Sequence, residues 1–186
     1  MMEQEIKQPF NYLGYYDTYN MHQSIKNMTE EDWLYWTHRQ EAFKDFHGAT
    51  KCIPILRDDS YSKNERGEET IFYNEFKNDI VKIEKYLNQV LGKGEIIRAE
   101  IPLLPAGTKV NPHYDDTESF VIQHRVHIPI ITSPEIIFTI DGIDKNLKIG
   151  EIWEIDNTKM HGVNNPSDID RIHLIVDFKK APSNLL

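Results

Sequence analysis

Apolar positions along this chain change period near residue 93: before it they recur mainly at helical spacing, and after it they gather in short strand-like runs. Thr29-Glu30-Glu31-Asp32 has the form of a helix start, a hydroxyl cap followed by acids in the first turn, and Gly48 supplies a stop. This predicts a helix over 29–48 with Trp33, Trp36, Phe43 and Phe46 as its buried stripe. A second helix is predicted over 72–90, where Phe72, Phe76, Ile80, Ile83, Leu87 and Val90 fall on one face before Gly92. The aromatic residues of both read as core rather than as cofactor contacts. Residues 57–69 are polar throughout and read as a solvated loop, a candidate for a segment that closes over a bound ligand.

From Gly94 onward, runs rich in isoleucine and valine occupy 95–104, 120–132, 135–140, 151–156 and 171–178. Pro105-Ala106-Gly107, Ser133-Pro134, Asp141-Gly142 and Asn164-Asn165-Pro166 punctuate them. Short strands at this spacing predict a mainly β fold, an antiparallel sandwich or jelly roll whose strands aim alternate side chains into an enclosed cavity. The expected organisation is a single domain in which a mainly helical region, 1–93, packs on a β core, 94–186.

Composition narrows the class. The 186 residues suit one domain, and 39% hydrophobic with 27% charged residues is ordinary for a soluble globular protein. No apolar run approaches the roughly 20 residues needed to span a bilayer. The start lacks the basic and apolar segments of a secretory signal, and the single cysteine, Cys52, cannot form an intramolecular disulfide, so a cytoplasmic setting is expected. A net charge of −9 argues against a nucleic-acid partner, since that affinity comes largely from lysine and arginine neutralising phosphates.

Against this background His113, Asp115 and His161 stand out as candidate metal ligands. Two histidines and a carboxylate form the facial triad that holds non-haem Fe(II) and leaves coordination positions open for substrates. His113 and Asp115, two residues apart, share a face if the backbone is extended, whereas the rival carboxylate Asp116 would turn away. A polar turn at 111–117 is the alternative. His161 follows the strand-like run 151–156, and Arg171 opens the last run, so pairing of these two runs as a hairpin would bring His161 and Arg171 to one cavity.

On the last run Arg171, His173 and Ile175 share one face, and Ile172, Leu174 and Val176 share the other. An inward arginine needs an anionic partner, which a dicarboxylate co-substrate or the nearby Asp170 would supply. Alternation also places Arg125 and His127 together, with His124 opposite beside Val126 and Ile128. Arginine suits bidentate carboxylate recognition, and histidine can add a donor.

The segments Arg125-Val-His127-Ile-Pro-Ile, Gly150-Glu-Ile-Trp153-Glu-Ile-Asp156-Asn, His161-Gly-Val-Asn-Asn and Arg171-Ile-His-Leu-Ile-Val-Asp177, in that order, resemble the aspartyl/asparaginyl β-hydroxylase family of 2-oxoglutarate- and Fe(II)-dependent oxygenases. The similarity spans roughly 95–180. It implies a double-stranded β-helix with His113 and His161 as iron ligands, Arg171 pairing with the distal carboxylate of 2-oxoglutarate, and Arg125 and His127 helping to hold that co-substrate. Asp115 takes the third ligand position, which some members of the family leave without an acid. His173 is divided between supporting the site and packing.

The implied reaction uses O2 and 2-oxoglutarate to hydroxylate an amino acid or an Asp, Asn or Pro residue of a peptide, forming succinate and CO2. Demethylases of nucleic acids share this chemistry but usually carry a second arginine six residues after the first, where this chain has Asp177. The reading from another class is a non-catalytic jelly roll that binds a ligand or assembles with a partner. A non-oxidative metal enzyme is the third, although it would not need two arginines directed at a dicarboxylate.

Overall fold

The computed structural model describes residues 8–58, 65–115 and 123–182. Runs of isoleucine and valine form the strands β4 (Gly94–Leu104), β6 (His124–Ile131), β7 (Ile137–Ile140), β9 (Glu151–Ile155) and β11 (Arg171–Lys180). They are joined by β1 (Phe10–Tyr15), β2 (Lys51–Arg57), β3 (Glu68–Glu69), β5 (Lys109–His113), β8 (Ile143–Lys145) and β10 (His161–Asn164). The helices are α1 (Tyr19–Lys26), α2 (Glu30–Trp33), α3 (His38–Ala42), α4 (Lys44–His47) and α5 (Tyr73–Val90). A major sheet has the order β1-β9-β6-β11-β4-β2-β3 and a minor sheet the order β5-β10-β7-β8. Every pairing is antiparallel, as in a jelly roll.

Alternation on β6 and β11 sorts the interior. Val126, Ile128, Ile130, Ile172, Leu174, Val176 and Phe178 share one buried cluster with Met21 and Ile25 of α1 and with Phe76, Ile80, Ile83 and Leu87 of α5. The opposite face carries Arg125, His127, Arg171, His173 and Asp177, all buried. A smaller apolar cluster, Leu104, Ile136, Phe138, Ile140, Leu147, Ile155 and Val163, joins the two sheets. Polar side chains therefore lie between the sheets while the apolar halves of the same strands face helices.

Three expectations need correction. The predicted helix over 29–48 begins as expected, since Thr29 and Asp32 form a reciprocal capping box, but it breaks into α2, α3 and α4. Its stripe is divided accordingly: Trp33 and Trp36 are buried, Phe46 is half-buried and Phe43 is 45% exposed. The runs at 151–156 and 171–178 do not pair as a hairpin. β6 lies between β9 and β11 and pairs with both, and the chain between them detours through the minor sheet as β10. Buried Asn165 secures the return, its Nδ2 donating to the carbonyls of Leu104, Pro105 and Ile169.

The segment before residue 94 also supplies strands to the major sheet. β2 is buried along almost its whole length, so it lacks the polar alternation that marks a half-exposed strand. β1 is broken by a register shift at Gly14, whose φ of 146° lies outside the range other residues readily adopt. The polar stretch 57–69 is partly β3, paired with the end of β2; residues 59–64 lie outside the described residues, as does Asp116. Among the described residues no helix is long and apolar enough to cross a membrane.

Phe76 is fully buried at the interface between α5 and the major sheet. Phe76→Ala should lower unfolding free energy by about 3–5 kcal/mol in urea, while Val81→Ala on the exposed face should stay within about 0.5 kcal/mol. Equal losses would contradict this packing.

Candidate metal centre

His113 ends β5 and His161 begins β10, and the two are direct cross-strand partners in the minor sheet. Their ring centroids lie 4.3 Å apart. Each ring is fixed by the same local device. His113 Nδ1 lies 2.8 Å from the Asn111 carbonyl oxygen, and His161 Nδ1 lies 2.9 Å from that of Lys159. A carbonyl only accepts, so both Nδ1 atoms carry the proton and both Nε2 atoms present a lone pair.

The Nε2 atoms meet the carboxylate of Asp115: Oδ1 is 3.8 Å from His113 Nε2, and Oδ2 is 4.0 Å from His161 Nε2. One ligating atom from each of the three residues lies within 4.8 Å of the others. Burial, the largest influence, lowers the pKa of His161; His113 adds to this while Asp115 opposes it, so the ring is neutral at physiological pH. The face of Phe46 stacks on His113 at 5.0 Å, and His47 meets it edge-on at 4.8 Å, so α4 walls one side of the site.

Asp115 lies beyond the end of β5 and is held from behind. Its Oδ2 accepts from Arg125 Nη1 at 2.5 Å and from Asn157 Nδ2 at 3.1 Å, and its backbone N–H donates to the Asn157 carbonyl. Arg125 in turn donates from Nε and Nη2 to the two oxygens of Asp177, at 2.8 and 2.9 Å. Arg98 Nε also donates to Asp177 Oδ2, at 2.8 Å, and its Nη2 donates to Gln123. Burial works against the carboxylate of Asp177, but Arg125 and then Arg98 overcome it and hold its pKa at about 2. Burial likewise opposes the charge on Arg125, and Asp177 with Asp115 more than restores it.

A narrow cleft runs from the two histidines past Arg125, His127 and Phe138 to Arg171. Arg171 is buried, with its guanidinium 5.7 Å above the Phe138 ring and Nη2 donating to His173 Nδ1 at 3.0 Å. The alternative pairing with Asp170 can be set beside this: Asp170 Oδ1 accepts from the backbone of Ala106. His173 is driven well below the usual histidine range, first by burial and then by Arg171 and His127. It is therefore neutral and positions Arg171 as an acceptor.

Five of the six residues singled out from sequence line one cleft, His113 and His161 at one end with Arg125, His127 and Arg171 along its wall, and Asp115 clusters with the two histidines. Sequence reasoning missed Phe46 and His47, which carry no local signal for contact with His113. It also missed Asn157, in the turn after β9. Asp177 had a usable signal, since alternation puts it on the face of Arg171 and His173.

The fold is shared with several solved structures. The epimerase SnoN from nogalamycin biosynthesis, described as non-haem and α-ketoglutarate-dependent, superposes with a TM-score of 0.57 at 11% identity, covering 93% of this chain and 78% of its own. A 2OG-Fe(II) oxygenase family oxidoreductase from Burkholderia pseudomallei gives 0.55 at 14% identity, over 71% and 67% of the two chains. A Pseudomonas putida prolyl-4-hydroxylase gives 0.50 at 12%, over 94% of each. A sequence search of curated proteins finds no match. The family model for aspartyl/asparaginyl β-hydroxylase matches residues 66–181, and the chain belongs to that family.

His173 generates a pH prediction. The unfolded chain protonates this ring near its ordinary pKa of about 6.5, whereas the folded chain keeps it neutral, so stability falls as pH drops from about 6.5 towards the folded value. The slope from this one site reaches about 1.4 kcal/mol per pH unit. Urea unfolding at pH 7.5, 6.5 and 5.5 should show a shallower acid loss in His173→Gln than in wild type; identical slopes would contradict a neutral buried His173.

Proposed function

We propose that this protein is a 2-oxoglutarate- and Fe(II)-dependent dioxygenase that hydroxylates an amino acid, or an Asp, Asn or Pro residue of a peptide. The observation that carries this reading is the pair of histidines whose Nδ1 atoms are tied to backbone carbonyls while their Nε2 atoms converge on a carboxylate. Imidazoles with Nδ1 tied to a carbonyl and Nε2 facing an acid are the donor set that Fe(II) accepts in a facial triad. His113, Asp115 and His161 would hold the iron. When bound, iron with 2-oxoglutarate and O2 supplies the oxidising power, leaving succinate and CO2 as co-products.

The chain's own residues bind, orient and exclude. Arg171 offers a buried guanidinium to the distal carboxylate of 2-oxoglutarate, and His173 fixes its direction from behind. His127, on the adjacent strand and the same face, closes the wall beside Arg171. Phe138 and Ile155 keep that part of the cleft apolar, which strengthens a charged pairing and limits water. In this reading residues 94–186 carry a double-stranded β-helix catalytic core, and residues 1–93 pack on it, with α4 as one wall of the site.

The acidic balance of the chain supports an amino acid or a peptide as the substrate rather than a nucleic acid. A cytoplasmic location fits the lone, buried Cys52.

Anaerobically purified protein given Fe(II), 2-oxoglutarate and an amino-acid and peptide panel should form succinate once oxygen is admitted. His161→Ala should remain folded but lose both metal binding and succinate formation; turnover at the wild-type rate in that variant would refute the ligand assignment. Arg171→Ala should raise the 2-oxoglutarate requirement by at least about tenfold with metal affinity little changed. An unchanged requirement would move the co-substrate elsewhere. Metal binding without turnover under every condition would favour a non-catalytic jelly roll.

A further inference from the structure

We propose that Arg125 is a positioning residue for the metal's carboxylate ligand: it grips Oδ2 of Asp115 and, together with Asn157, holds the carboxylate against the two histidine Nε2 atoms. The inference rests on the dioxygenase reading and divides its two cleft arginines between different tasks, Arg171 for the co-substrate and Arg125 for the metal.

Three features of the geometry carry it. Asp115 lies outside any strand, so sheet register does not aim its side chain; the contacts at Oδ2 do, one from Arg125 Nη1 and one from Asn157 Nδ2. Arg125 is itself immobilised, because Nε and Nη2 form a parallel fork on the two oxygens of Asp177. Asp177 is held a second time by Arg98, which also reaches Asp58 Oδ2 at 3.5 Å and Gln123. Arg98, Arg125 and Asp177 are all buried. Removing one member would leave buried charge short of counter-charge, which is costly.

Arg125 thus directs its Nε–Nη2 fork at Asp177 and Nη1 at Asp115. Arg171 donates to His173, stands over the Phe138 ring and lies along the cleft away from Asp115. Held in this way, the Asp115 carboxylate keeps an oxygen near each histidine Nε2. Ligands oriented from outside in this way bind metal more tightly than free ones.

The test uses the full-length protein, freed of metal and titrated anaerobically with Co(II). Calorimetry gives the affinity, and the visible ligand-field bands report the coordination sphere. Arg125→Lys should weaken Co(II) binding by about 10–100-fold and alter the bands, with a smaller loss in Asn157→Ala. The Kd for 2-oxoglutarate, measured on metal-saturated protein, should change by less than about twofold in both variants. In an Asp115→Ala background the Arg125→Lys change should add almost nothing to the metal Kd, because its effect passes through that carboxylate.

A general structural role would weaken metal binding equally with or without Asp115, and that result would overturn the proposal. So would an unchanged Co(II) affinity combined with a raised 2-oxoglutarate Kd, which would make Arg125 a co-substrate anchor. If Arg125→Lys does not fold by circular dichroism, Asn157→Ala carries the same test without changing buried charge. Wild type that binds Co(II) through His161 but never 2-oxoglutarate would refute the dioxygenase reading while leaving the role of Arg125 intact.

Discussion

Asp177 places a negative charge in the middle of the major sheet, on a strand whose other face is packed against helices. A charge buried there is tolerable only with counter-charges in good geometry, and two arginines from the flanking strands β6 and β4 supply them. That requirement organises the cleft. Arg125, drawn onto Asp177, reaches Asp115; Asp115 is thereby held beside the histidines of the other sheet. The ion pairs thus link the metal-facing end of the minor sheet to the centre of the major one.

The histidines are placed by a different constraint. Antiparallel register between β5 and β10 sets His113 directly opposite His161, and each ring is then locked by the carbonyl two residues earlier. Two local hydrogen bonds and one strand pairing thus fix the tautomer and direction of both rings. At the far end of the cleft the same economy recurs, with His173 two residues after Arg171 on the same face, holding the guanidinium through a neutral ring. A site made of such short-range devices needs little from long loops, and its long-range component lies in the ion pairs around Asp177.

This division explains what could be read from the sequence. Alternation along 120–132 and 171–178 sorted Arg125, His127, Arg171 and His173 onto cleft-facing positions, and the His-x-Asp spacing with His161 identified the cluster. Helical periodicity likewise placed α5. Pairing was less legible: β6, which separates β9 from β11, comes from an earlier part of the chain, so the hairpin inferred for 151–156 and 171–178 looked locally sound. β10 is only four residues long, and one of them is glycine, too short to show a period. β2 is buried on both faces and shows no alternation. The partnership of Arg125 with Asp177 spans 52 residues and leaves no local trace in either segment.

The central claim is that His113, Asp115 and His161 form one metal centre with fixed ligand atoms. Anomalous diffraction from crystals grown anaerobically with Mn(II) tests it most directly. The account predicts one peak within bonding distance of both histidine Nε2 atoms and of a single oxygen of Asp115, whose other oxygen stays on Arg125. A peak bound through either Nδ1, or a metal held away from Asp115 while Arg125 keeps Oδ2, would contradict it.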